Sequence, residues 1–119
     1  MKRNSHLLAG ALGSCCLLVA SLSFAQGECV MPEAPSIPDG ANASEQELVG
    51  VAGEIKIFQQ ALADYRECLQ AEEQELGDDA TPEQKQGFVA SYNTSVDEEE
   101  AVAADWNTAV QAFKAASQN

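Results

Sequence analysis

The chain has 119 residues, with 6 Lys+Arg against 19 Asp+Glu, 4 Cys and 1 His, a length for one domain at most. Such acidity excludes nucleic acid, which requires a basic footprint, and anionic membrane surfaces. The only histidine, His6, lies in an N-terminal segment that reads as a signal, so catalysis by His, zinc–His sites and haem–His ligation are not expected of the remaining chain.

Residues 1–25 have the layout of a secretory signal peptide. Lys2 and Arg3 form the basic start, His6 to Leu22 is mostly apolar, and Ser23-Phe24-Ala25 offers small residues for cleavage. Leu12-Gly13-Ser14-Cys15 also resembles a lipobox, which would make Cys15 a lipidation site. The apolar run continues past it through Cys16-Leu17-Leu18-Val19, so ordinary cleavage fits better, and the run is at the short limit for a membrane span. No stable membrane insertion is expected after cleavage. The remaining chain carries Lys56, Arg66, Lys85 and Lys114 against all 19 acids, a net charge of −15.

That chain keeps two cysteines, Cys29 and Cys68, which allow a single pairing. In an oxidising compartment a structural disulfide is the expected state. Closing a loop of about 40 residues would stabilise the fold by roughly 4 kcal/mol in the chain-entropy account. Redox catalysis normally places two cysteines close together, as in Cys-x-x-Cys, and is not expected.

Residues 26–43 form an extended Pro-rich strap. Pro32, Pro35 and Pro38 with Asp39-Gly40 rule out a helix and place a turn at Pro38-Asp39-Gly40. Residues 44–119 form the helical part. Ser44-Glu45-Gln46-Glu47 is a capping box that starts helix 1, expected over about 45–76. Leu48, Val51, Ile55, Phe58, Leu62, Tyr65, Leu69 and Leu76 step by three and four, interrupted only by Glu72. Gly77 supplies a C-terminal cap and Asp78-Asp79-Ala80 a short connection. Thr81-Pro82-Glu83-Gln84 restarts a helix expected over about 82–116, with Phe88 (and Val89), Tyr92, Val96, Glu99, Ala103, Trp106, Val110 and Phe113 as its seam.

So short a connection makes the two helices antiparallel neighbours. The fold class is therefore all-α: a coiled-coil-like antiparallel two-helix hairpin with a Pro-rich strap tied by one disulfide. Counting outward from the turn pairs Leu69 with Phe88 and Val89, Tyr65 with Tyr92, and Leu62 with Val96. It also pairs Ile55 with Ala103, and Val51 and Leu48 with Trp106 and Val110. Glu72 should meet Lys85. Glu99 falls opposite Phe58 and Leu62 without a partner, its stem crossing the seam edge to bring the carboxylate to water. From Ser44 to Cys68 the helix rises about 36 Å at 1.5 Å per residue, and an extended strap from Ser44 back to Cys29 reaches about 46 Å. The strap should thus run antiparallel along helix 1, with Ile37 near Ile57 and with Val30 and Met31 near the disulfide. One hairpin cannot bury both sides of its apolar residues, which makes a homodimeric four-helix bundle plausible against the charge repulsion.

Catalytic equipment is scarce. Asp97-Glu98-Glu99-Glu100 is the densest acidic run, with Glu72-Glu73 and Asp78-Asp79 near the turn, and a weak calcium site is conceivable there. Four consecutive helical residues point in different directions, however, and read as a solvated face. Paired carboxylates for glycoside hydrolysis need a cleft of fixed separation, serines lack a histidine partner, and no glycine-rich phosphate loop is present. Trp106, Tyr65 and Tyr92 at seam spacing read as core. Asn42-Ala43-Ser44 and Asn93-Thr94-Ser95 match a glycosylation acceptor, relevant only to a eukaryotic source. No enzyme activity, metal or cofactor is expected.

The stretch Cys29-x-x-Pro32-x-x-Pro35-x-x-Pro38-Asp39-Gly40-Ala41-x-Ala43-Ser44, followed by Tyr65-x-x-Cys68-Leu69, resembles a family of small uncharacterised secreted proteins of proteobacteria. Tyr92-Asn93 and Trp106-Asn107 through Ala112-Phe113-Lys114 are similar to that family's second helix, while Leu48 stands where methionine would be expected. The resemblance implies a periplasmic or secreted helical protein and carries no site residues. The preferred expectation is an exported acidic protein acting by binding, as an envelope accessory protein, inhibitor or holdase whose acidic faces meet a basic protein or polyamine-like cation. The alternatives are a self-associating structural or stress-related homodimer and a weak divalent-cation binder.

Overall fold

A computed structural model describes residues 29–118; the expected signal segment lies outside them. The chain is an antiparallel helical hairpin, with no strand among the described residues. Helix α1 spans Glu45–Leu76 and helix α2 spans Pro82–Ala116, joined through a short 3₁₀ turn, Gly77–Asp79. At 1.5 Å per residue the helices are about 48 and 52 Å long.

Both starts follow from local chemistry. The Ser44 hydroxyl accepts from the Glu47 N–H at 3.2 Å while the Glu47 carboxylate accepts from the Ser44 N–H at 2.7 Å. Thr81 and Gln84 repeat the box on α2 at 3.2 and 2.9 Å, with Pro82 in the first turn. Each box satisfies amide donors that the first helical turn leaves without partners. Gly77 ends α1 at φ +51°, and its N–H donates to the Glu73 carbonyl. A side chain there would meet the left-handed region's steric cost.

The strap precedes α1 and contains neither helix nor strand. Asp39 organises its turn. Its carbonyl accepts from the Asn42 and Ala43 N–H groups, and its carboxylate accepts from the Ala41 N–H and the Asn42 amide. From that turn the strap runs back antiparallel to α1 until Cys29 bonds to Cys68, with the Cα atoms 5.7 Å apart.

The strap lies in one groove of the hairpin and packs on both helices. Phe58, Leu62 and Val102 form the buried cluster, and Met31, Ile37 and Ile55 pack against it. Gly40 is seated so tightly on α2 that a Cβ there would fall on the carbonyl of Ala109. This corrects the expected path, since Ile37 reaches the inter-helix cluster and Ile57 stays 72% exposed. The groove between two helices offers apolar contact on both sides, whereas the outer flank of α1 offers it on one.

The α2 face and the register also differ from expectation. Ser95, Val102 and Ala109 are the buried residues of α2, while Val89 and Tyr92 are 57% and 41% exposed and Ala103 is exposed. Val102 meets Phe58 and Leu62, where Val96 and Glu99 were expected. Tyr65 is buried and lines the strap-side groove, whereas Tyr92 is exposed and lies against Arg66, in place of the expected Tyr65–Tyr92 pair. Small residues at positions 95 and 109 let the backbones approach, and the strap wedges in beside them, so α2 is turned by about one residue from the purely heptad seam.

Candidate functional site

The strap covers only part of its groove. Toward the hairpin turn, beyond the disulfide, the groove continues uncovered with a volume of about 800 Å³. Its floor comes from Tyr65, Leu69 and Leu76 of α1 and Phe88 of α2, residues that the three-and-four spacing places side by side. Cys29 and Val30 form the edge where the strap enters, and Val30 is 81% exposed. Gly87 and Ser91 keep the α2 wall low.

Charge on this groove has one sign. Glu72 and Glu75 line the open part, and Asp39, Glu98 and Asp105 line the strap-filled part near Ala109. No lysine or arginine lines either part among the described residues. Glu72 does not meet Lys85, because the one ion pair among the described residues joins Arg66 to Glu99. Freed from that expected partner, Glu72 sits beside the disulfide and faces the groove.

The opposite flank of the hairpin carries the Arg66 cluster. Arg66 donates from Nε to the Ser95 hydroxyl at 2.8 Å, and from Nη2 to the Ser95 carbonyl at 2.9 Å and the Glu99 carboxylate at 2.8 Å. Ser95 is fully buried and its hydroxyl donates to the Tyr92 carbonyl at 2.6 Å. The guanidinium also lies 5.7 Å from the centre of the Tyr92 ring, within range of a cation–π attraction. Glu99 is thus not the unpartnered seam acid that the sequence suggested. The clue was Arg66 itself, the one arginine among the described residues, placed four residues after the fully buried Leu62.

The other candidate ligands do not converge. Glu98 lines the strap groove, Glu99 binds Arg66, and Asp97 and Glu100 are exposed. Among the described residues the only three potential ligands with donor atoms within 4.8 Å of one another are Cys29, Cys68 and Glu72. Both sulfurs of that group are bonded to each other, so neither is available as a thiolate. No described helix is long and apolar enough to cross a membrane. One carboxylate has a resolved shift: hydrogen bonds from the Ser44 backbone and then its hydroxyl hold Glu47 below the usual carboxylate range. That shift belongs to the α1 cap and not to the groove.

Comparisons of the chain with protein-family models, curated proteins and solved structures return no match.

Proposed function

We propose that this is an exported protein, periplasmic or secreted, that acts by binding, and that its open groove receives a basic amphipathic segment of another protein. The observation that carries the reading is the groove's composition: an apolar floor of Tyr65, Leu69, Leu76 and Phe88, rimmed by Glu72 and Glu75 without a lysine or arginine in its lining. Apolar side chains of a visiting helix would bury against the floor while its lysines or arginines meet the two carboxylates. The chain's wider negative field, −15 beyond the signal segment, would speed the encounter and weaken with salt. The Cys29–Cys68 disulfide suits an oxidising compartment, in keeping with the resemblance to secreted proteins.

The test is a fluorescence-anisotropy titration with a synthetic Lys/Leu amphipathic helical peptide, set against a Glu/Leu peptide of the same length. The Lys/Leu peptide should bind and the Glu/Leu peptide should not. Replacing both Glu72 and Glu75 by Lys should weaken binding roughly tenfold or more, while replacing both Asp97 and Glu100 by Lys, the same change of charge at exposed positions outside the groove, should cost far less. Equal losses from the two sets of substitutions would reduce the interaction to diffuse attraction and remove the groove as the site.

A further inference from the structure

Glu72 is the one polar interruption of the α1 seam, set between Leu69 and Leu76 where the three-and-four spacing calls for an apolar side chain. Neither packing nor an ion pair accounts for it: the residue is half-buried, and the one ion pair among the described residues joins Arg66 to Glu99. Its neighbours are the two half-buried cysteines. A carboxylate oxygen of Glu72 and the Sγ atoms of Cys68 and Cys29 all lie within 4.8 Å of one another. Cys68 and Glu72 stand four residues apart on α1, the spacing that stacks two side chains on one helix face and lets a helix chelate a metal ion from its surface. Cys29 brings the third donor from the strap.

We infer that Cys29, Cys68 and Glu72 form a zinc site in the dithiol form of the protein. Cysteines enter a chain as thiols, and a closed bond returns to that form by exchange with a dithiol. One thiolate of the dithiol attacks a sulfur of the Cys29–Cys68 bond, and its second thiol then displaces the mixed disulfide. The dithiol leaves as a disulfide, and its two electrons remain with Cys29 and Cys68 as thiols. Zinc binds both sulfurs and the Glu72 carboxylate, and the two thiol protons pass to solvent. A tetrahedral zinc with Zn–S bonds of about 2.3 Å holds its sulfurs ~3.7 Å apart. Opening the pair to that separation takes rotation of two side chains and a small shift of Cys29, which no helix or strand holds in place. The fourth position opens onto the groove that Cys29 and Glu72 line, where water completes the tetrahedron.

Donor chemistry selects the metal. Two thiolates and a carboxylate suit zinc, whereas calcium and magnesium take oxygen ligands. The three deprotonated donors repel one another, and no lysine or arginine lines the groove to offset them; a divalent cation does so. The bound ion would tie the strap to α1 at the point where the disulfide ties it, and so keep Met31 and Ile37 on the Phe58–Leu62–Val102 cluster in the dithiol form. Zinc binding is independent of peptide capture, which is measured on the disulfide form.

The purified protein, reduced with a phosphine and freed of it under nitrogen, is titrated with cobalt(II) and then with zinc. Cobalt should give a thiolate-to-metal charge-transfer band and the intense visible bands of a tetrahedral site, saturating at one ion per chain, and zinc should displace it. Glu72→Gln should weaken zinc binding at least about tenfold, a loss that even partners outside the coordination sphere produce, while Glu73→Gln and Glu75→Gln should leave it unchanged. Zinc should also raise the melting temperature of the reduced protein and not that of the disulfide form, with circular dichroism following helix content. Reduced protein that takes up no zinc, whatever its helix content, would overturn the proposal. So would equal uptake by the disulfide form, or saturation at half an ion per chain, as two chains sharing one ion would give. Affinity unchanged by Glu72→Gln would remove the carboxylate and with it the three-donor site.

Discussion

Arg66 shows how one side chain sets a register. Its guanidinium binds two atoms of Ser95 and one of Glu99, which holds α2 at one height against α1. Truncating it leaves the Glu99 carboxylate and the buried Ser95 hydroxyl without their donor. The loss of one member of a partly buried pair costs more than neutralising the other. Arg66→Met should therefore lower unfolding stability by about 2 kcal/mol, and Glu99→Gln, which keeps an acceptor for Nη2, by clearly less. Urea denaturation of the two variants checks the order, and equal losses would mean that the charge and not the hydrogen-bonded geometry matters. Trp106 and Phe113, by contrast, were legible as seam residues from spacing alone, and both are half-buried.

At the scale of the element, the helices are specified at their ends. Ser44 with Glu47 and Thr81 with Gln84 form closed boxes within four residues of chain, so no tertiary contact is needed to place either start. Glu47 links the first box to pH. Its folded-state pKa lies below the ordinary value, so its contribution is fully present above the unfolded pKa and is lost as pH falls through the folded one. Stability measured from pH 7 downward should show this loss below about pH 4.5, and the difference between wild type and Glu47→Gln should shrink over the same range. A difference that stays constant with pH would show that the box acts through hydrogen bonding alone. The α2 seam was the least legible element. Ser95, Val102 and Ala109 form one row and Val89, Val96, Ala103 and Val110 another, one residue apart at the same period, and the polar Ser95 makes the row that meets α1 the less apolar of the two in sequence.

For the whole molecule, the disulfide and the strap act together. The strap has no secondary structure of its own, and it is held by the Cys29–Cys68 bond at one end and the Asp39 turn with the Gly40–Ala109 contact at the other. Replacing both cysteines by serine should lower stability by roughly 3–4 kcal/mol, the value for a loop of this length in the chain-entropy account. The same change should release the strap and expose Phe58, Leu62 and Val102, visible as dye binding and as faster amide exchange on both helices. A double variant as stable as wild type, with unchanged exchange, would show that packing alone retains the strap.

Sequence by itself determined what depends on neighbours along the chain: the two helix starts, the Gly77 stop, the non-helical strap, the single cysteine pairing open to residues 29–118 and the sign of the charge. Those features arise from hydrogen bonds across three or four residues, from fixed proline φ angles and from counting. Only the tertiary structure decided where the strap lies, which row of α2 faces α1, and that Arg66 compensates Glu99. The reason is physical: those outcomes depend on how closely two backbones approach at Ser95, Ala109 and Gly40. That distance is set by the simultaneous packing of three segments, and no spacing within any one of them encodes it.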